Sequence, residues 1–270
     1  MNKSIQRFKG YLNTPLLWGS EPVKNLDQLQ LPLTSAGFSG LIIPEKIRLG
    51  KLVELFVYFQ LEQITTIDIL VQNLQVIQDK ITIGELDCVF RDLELYIHLE
   101  IVYKFYLYDE SLGPLEIDRW IGPNRKDSLS KKVNKLSQKQ LPLIAHFRTK
   151  ELLYDLGVDV HALKQKVFFK AQLYTPIHLK NHTFKSINNN CIMGYYIGMT
   201  EYRSMQDCYF YMPKKLDWLI VPHLNVEWKD HAVFTEHVEK EINEKRSPLC
   251  WVKTPYGILQ KIFVVFWENQ

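Results

Sequence analysis

The chain has 270 residues, 46% of them apolar and 23% charged, and carries a formal net charge of only +3. This is the profile of an ordinary folded globular protein, long enough to bury a substantial core without disulfides or metals. It excludes a polycation, so any nucleic-acid contact must come from a local patch.

The four cysteines, Cys88, Cys191, Cys208 and Cys250, include no Cys-x-x-Cys pair. They read as free thiols in a reducing compartment. The segment from Met1 to Phe8 lacks the apolar run of a signal peptide, and no apolar run is long enough to span a bilayer. The expectation is a cytoplasmic protein with no membrane partner.

Residues 1 to 40 read as irregular. Tyr11 to Trp18 packs apolar bulk around Pro15, which suggests an extended arm with Trp18 as its anchor. Pro22, Pro32, Gly37 and Gly40 argue against long helices beyond it. Residues 46 to 63 predict the first helix. Leu52, Val53, Leu55, Phe56, Val57 and Phe59 cover more than one face, so the helix is mostly buried. Glu54 is then a carboxylate inside an apolar helix. Two readings stay open for it: helping to hold a metal or its water, or pairing with Lys51 at an exposed edge. Leu74, Val76 and Ile77 read as a strand ending at Asp79 and Lys80.

The stretch from Thr82 to Tyr108 is the most informative. Its β-branched and aromatic residues predict two strands, and the short break from Arg91 to Glu94 makes them an antiparallel hairpin. Side chains alternate with period two, so Asp87 shares a face with Glu85, and Glu100 with His98, Val102 and Lys104. Pairing about the break brings Asp87 and Glu100 close together. Two carboxylates inside a sheet repel and are poorly solvated; a divalent cation relieves both problems, and oxygen ligands suit Mg²⁺ or Mn²⁺. A lysine on the same face, Lys104, could orient water or stabilise a developing phosphate charge. The bland alternative is an internal ion pair between Lys104 and one of the acids.

Trp120-Ile121-Gly122-Pro123-Asn124 is loop chemistry leading into a helix from Ser128 to Leu141, ended by Pro142. Lys131, Lys132, Lys135 and Lys139 dominate its polar faces, and Arg119, Arg125, Lys126, Arg148 and Lys150 lie nearby in sequence. Such a patch could neutralise phosphates, or it could be a solvated helix face. Residues 150 to 165 read as helical with a break at Gly157, and Val167 to Tyr174 as a strand stopped by Pro176. His178 and His182, with Cys191 or Cys208, have the residue types of a zinc site, but the segment lacks helical periodicity and zinc is disfavoured there. The aromatic stretch from 191 to 228 suggests two or three strands, 233 to 245 a charged helix, and 249 to 267 a hairpin about Pro255-Tyr256-Gly257. The fold expectation is α/β or α+β: a mixed central sheet flanked by helices, β-rich toward the C-terminus, in a single domain over residues 1 to 270.

A helix bearing a glutamate, then Gly84-Glu85-Leu86-Asp87 on a strand, then an acid and a lysine on the next strand, resembles the PD-(D/E)XK nuclease superfamily. More closely, Arg48-Leu49-Gly50, the Gly84 to Asp87 tetrad, His98-Leu99-Glu100 through Lys104-Phe105-Tyr106-Leu107, and Trp120 to Asn124 resemble a bacterial family, the domain of unknown function numbered 1853. The resemblance implies a restriction-endonuclease-like core over residues 46 to 141. It implies a metal held by Asp87, Glu100 and Glu54, catalysis by those three with Lys104, and a helix glutamine that is Gln138 or Gln140. Lys104 stands four residues after Glu100, where the superfamily pattern has its lysine two residues after the acid, the position of Val102. The functional expectation is a Mg²⁺- or Mn²⁺-dependent nuclease, with nucleic acid bound by Lys131, Lys132, Lys135, Lys139, Arg125 and Gln140, DNA ahead of RNA. The alternatives are a catalytically inactive nucleic-acid-binding relative and a protein-interaction module.

Overall fold

A computed structural model describes residues 2–19, 23–32 and 43–267. Pro22, Gly37 and Gly40 lie outside the described residues. The helices are α1 (Lys3–Asn13), α2 (Leu49–Glu62), α3 (Leu129–Lys135), α4 (Phe147–Asp155), α5 (Met199–Arg203) and α6 (His231–Asn243). The strands are β1 (Ile67–Gln78), β2 (Ile81–Asp92), β3 (Leu95–Tyr108), β4 (Trp120–Ile121), β5 (Lys164–Pro176), β6 (Ile192–Ile197), β7 (Tyr209–Tyr211), β8 (Lys229–Asp230), β9 (Leu249–Lys253) and β10 (Leu259–Val264). They form a ten-stranded mixed sheet in the order β1-β2-β3-β5-β6-β10-β9-β7-β8, with β4 on β3. β5 with β6 and β6 with β10 pair in parallel. The fold is therefore α/β. Among the described residues, no helix is long and apolar enough to cross a membrane.

The chain divides into two compact units. One comprises residues 16–103 and 131–170. Here β1 and β2 form a long hairpin about Asp79 and Lys80, both at positive φ (49° and 64°). That is the backbone of a tight hairpin turn whose twist matches its strands. β1 starts at Ile67, earlier than the apolar clustering at Leu74 suggests, and pairs with β2 from Ile67 opposite Asp92. The β2–β3 turn is equally tight, with Leu93 at φ 51°. Val71, Leu86, Val89, Leu153 and Val158 pack as one cluster, tying α4 to the hairpin. Gly157, at φ 71°, ends α4: its N–H bonds the Tyr154 carbonyl, and the Val158 N–H bonds that of Leu153. This pattern needs a left-handed residue just past the helix, which glycine supplies without strain, so the segment after it is not helical. Trp18 is buried, donates from Nε1 to the Leu26 carbonyl at 3.0 Å and packs on Phe169, the anchoring role expected of it.

The other unit comprises residues 1–15, 104–130 and 171–270. Its first element corrects the expectation of an irregular N-terminus: Lys3–Asn13 is helical. The Asn2 side chain accepts from the Ser4 N–H at 2.8 Å, capping the helix, and Phe8 and Tyr11, three residues apart on one face, are buried. Thr14 and Pro15 end it, so the stiff, aromatic character of Tyr11 to Trp18 belongs partly to a helix end. The aromatic stretch supplies β6, α5 and β7, a helix interrupting what read as strands. Ile197, Tyr202, Phe210, Phe234, Val238, Cys250, Val252, Ile262 and Val264 close the core under α6. All four cysteines are buried, and none is in a disulfide among the described residues.

Candidate functional site

The β2–β3 hairpin pairs in register from Asp92 opposite Leu95 to Cys88 opposite Leu99. The ladder then stops, while β2 continues pairing with β1 down to Ile81. The next residues outward are Asp87 and Glu100. The Asp87 Oδ2 accepts the Ile101 N–H at 2.8 Å, so a side chain takes a donor at the point where the two strands part. The Tyr58 hydroxyl of α2 donates to the Asp87 carbonyl at 2.6 Å and fixes the strand from the helix side.

Glu100 is fully buried. Its Oε1 lies 3.3 Å from His98 Nε2, two residues back on the same face. Its Oε2 accepts a hydrogen bond from Gln140 Nε2, and Gln140 Oε1 in turn accepts from Lys132 Nζ at 2.7 Å. The segment that delivers Gln140 is not the single helix ended by Pro142 that the sequence suggested. After α3 the chain makes a π-helical turn over Leu136–Gln140 and a 3-10 turn over Leu141–Ala145, with Pro142 inside it. Proline is harmless there because it falls in the first turn of the new segment, where its missing N–H costs no bond. The wider π turn carries Gln140 to Glu100, a use of π geometry that recurs at functional sites. The 3-10 turn lies close on β2: a Cβ at Gly84 would meet Leu143 Cδ2 at 2.4 Å. Only glycine allows that approach without displacing leucine.

Burial first, and the charge of Glu100 second, push the Asp87 pKa well above the carboxylate range. Burial likewise raises Glu100, against the opposing charges of Lys132 and Lys135. Burial lowers His98 to about 4, leaving it neutral near pH 7. Glu54 is raised to about 7, mainly by burial, with Asp87 and Glu85 adding repulsion. Lys51 Nζ sits 2.8 Å from Glu54 Oε2 and 2.5 Å from Glu85 Oε1. Burial opposes its charge, but those two partners raise its pKa overall. The structure therefore gathers Glu54, Glu85, Asp87 and Glu100 electrostatically, with Lys51, Lys132 and Lys135 as the cations acting on them.

Two of the sequence-derived residues are engaged elsewhere. Lys104 Nζ pairs with Asp127 Oδ2 at 2.5 Å. No local pattern signals this pair, because the acid arrives 23 residues later, after the Gly122-Pro123 loop. Arg125 pairs with Asp109 at 2.7 Å and lies over the Trp267 ring. Lys131, Lys135 and Lys139 are exposed. Lys51 was visible in the sequence only as an edge partner of Glu54; the pair forms, but on a buried glutamate and with Glu85 as a third member. His178 pairs with Glu110 at 2.6 Å, and His182 packs on Phe184.

Among the described residues, no three His, Cys, Asp or Glu side chains are grouped so as to hold a metal ion. Glu54, tied to Lys51, is not a ready third ligand beside Asp87 and Glu100. The donor chemistry of that pair still suits a hard cation, since Mg²⁺ commonly takes one or two carboxylates and completes its shell with water and substrate phosphate.

The family described as Domain of unknown function (DUF1853) matches residues 8–265. No curated protein and no solved structure matches the chain.

Proposed function

The chain belongs to the DUF1853 family, and on that footing we propose that it is a divalent-metal-dependent phosphodiester hydrolase acting on nucleic acid, DNA ahead of RNA, of PD-(D/E)XK character. The carrying observation is the parting of β2 and β3 at two carboxylates whose acidity is suppressed by burial, with the Lys132–Gln140 relay leaning on one of them. Asp87 and Glu100 would hold Mg²⁺ or Mn²⁺, and Glu54 would reach it through water. The metal, when bound, supplies a polarised phosphoryl oxygen and a more acidic water. The chain's own groups do the rest. Ile101 N–H fixes Asp87, and Gln140 orients Glu100. Lys132 and Lys51 take the charge-stabilising role that Lys104, held by Asp127, does not offer. Lys131, Lys135 and Lys139 would meet flanking phosphates. Four buried cysteines outside any disulfide accord with a reducing, cytoplasmic setting.

The test is cleavage of single- and double-stranded DNA and of RNA with Mg²⁺, with Mn²⁺ and with chelator, by wild type, Asp87→Asn and Glu100→Gln. Metal-dependent cleavage lost in both variants supports the proposal; equal cleavage by wild type and variants overturns it. A second reading, a nucleic-acid-binding protein without hydrolysis, is favoured by the pairing of Lys104 with Asp127 and of Glu54 with Lys51. Salt-sensitive binding with no cleavage in any metal selects it.

A further inference from the structure

The unit of residues 1–15, 104–130 and 171–270 contains a cavity of about 450 Å³ that shares no residue with the candidate site. Lys261, on β10, lines it and is only 7% exposed. Its Nζ donates to Gln172 Oε1 at 3.0 Å and to the Trp218 carbonyl at 2.7 Å. Both acceptors are neutral, and Gln172 Oε1 also receives the Tyr174 hydroxyl. No Asp or Glu lines the cavity among the described residues; the other charged lining residue is Lys180, which is exposed. Asp217, the acid in the 3-10 turn that carries Trp218, is taken by Arg7 and Lys3. Tyr195 lines the wall, its hydroxyl on Gln260 at 3.1 Å. Ile192, Leu219, Val221 and Leu259 make much of the remaining wall apolar.

A buried ammonium without a counter-charge is costly, and burial brings the Lys261 pKa down to about 7. An ammonium carries three donors, and two acceptors are in place. The size lies within the range of small-molecule pockets, and the mixture of apolar wall with a few polar groups is characteristic of them. The geometry points to an anion-binding pocket that takes a small molecule bearing a carboxylate or phosphate on a compact apolar body, with Lys261 as the inner counter-charge and Lys180 as the outer one.

Calorimetry on the full chain at pH 8, with benzoate, phenyl phosphate and neutral benzamide as probes, tests this. At least one anion binds, at least about tenfold more tightly than benzamide, as expected for a charge-assisted hydrogen bond. Binding takes up close to one proton, read from runs in buffers of different ionisation heat, because the anion restores the charged form of Lys261. Lys261→Met loses about tenfold or more in affinity, and Lys180→Glu loses several-fold. The ratio of benzoate to phenyl phosphate affinity assigns the headgroup. Benzamide binding as well as the anions, neither anion binding at millimolar concentration, or full affinity in folded Lys261→Met overturns the proposal. If Lys261→Met does not fold, the wild-type proton uptake and the exposed Lys180→Glu variant decide it: anion binding without proton uptake overturns it.

Discussion

The Asp87 carboxylate accepts the backbone N–H of Ile101 at 2.8 Å, one step beyond the last paired residues of the hairpin. A side chain replaces a ladder partner, so β3 keeps its donor satisfied while β2 turns away. The end of the β2–β3 ladder and the placement of Asp87 are thus one feature.

The lysines can be ranked by what they touch. Lys51 and Lys132 act on the acids, whereas Lys104 is spent on Asp127. Lys51→Met and Lys132→Met should each lower the metal-dependent cleavage rate by about a hundredfold, the scale of one lost electrostatic stabiliser. Lys104→Met should change it less than about threefold, in line with a half-exposed lysine already engaged by Asp127. Single-turnover rates check this. A collapse confined to Lys104→Met would return the catalytic role to the strand lysine.

Gln140 satisfies Glu100 on one side and Lys132 on the other. Gln140→Leu should leave the buried carboxylate short of a donor and lower stability by about 1–3 kcal/mol, measured by urea unfolding. Gln140→Glu should be worse at pH 8 than at pH 5, because it sets a second carboxyl against Glu100. Equal stability of all three proteins at both pH values would mean that the amide does not hold Glu100 in solution.

The hairpin, and with it the proximity of Asp87 and Glu100, was legible because strand alternation and short turns are local properties. The cations were not. Lys51 reaches Glu85 from 34 positions away, and Lys104 finds Asp127 across a loop, pairings set by packing that periodicity does not encode. Gln140 and Gln138 were indistinguishable in sequence because the π turn shifts the helical phase by one residue, and the phase decides which glutamine faces the acid. The N-terminal helix was hidden by its short length and by Gly10, a poor helix former.

The exposed lysines on and after α3 give a salt-dependence prediction. Lys131, Lys135 and Lys139 replaced together by glutamine should leave the melting temperature within a few degrees of wild type, since surface changes cost little. If all three meet phosphates, the slope of log affinity against log salt for a DNA duplex should flatten by about 2–3, near 0.9 per lost contact. An unchanged slope would make this a solvated face.

The acids themselves set a pH signature. Asp87, Glu100 and Glu54 all have folded pKa values raised above their unfolded ones, Glu54 to about 7. The native state therefore holds protons that the unfolded chain has released. Each such group leaves stability intact below its unfolded value, near pH 4, and costs stability as pH rises toward its folded value. His98, lowered to about 4, works the other way between pH 4 and 6.5, because the unfolded imidazole binds the proton the native one refuses. Buried Lys261 adds a further rise in stability above pH 7, so a raw profile mixes signs. The difference between wild type and Asp87→Asn isolates the acids, because asparagine can still accept from Ile101 yet removes the repulsion. Asp87→Asn should be more stable than wild type at pH 8 without metal by about 1–2 kcal/mol, discounted for solvent screening, and more stable by a smaller margin at pH 5, where only the first part of the Asp87 penalty has set in. Millimolar Mg²⁺ should raise the wild-type melting temperature at pH 8 by mass action and leave Asp87→Asn unmoved. Thermal melts at two pH values, each with Mg²⁺ and with chelator, measure all of this. A wild type and variant that differ equally at pH 5 and pH 8, with neither responding to Mg²⁺, would show that the lysines already neutralise the cluster and that no metal binds there.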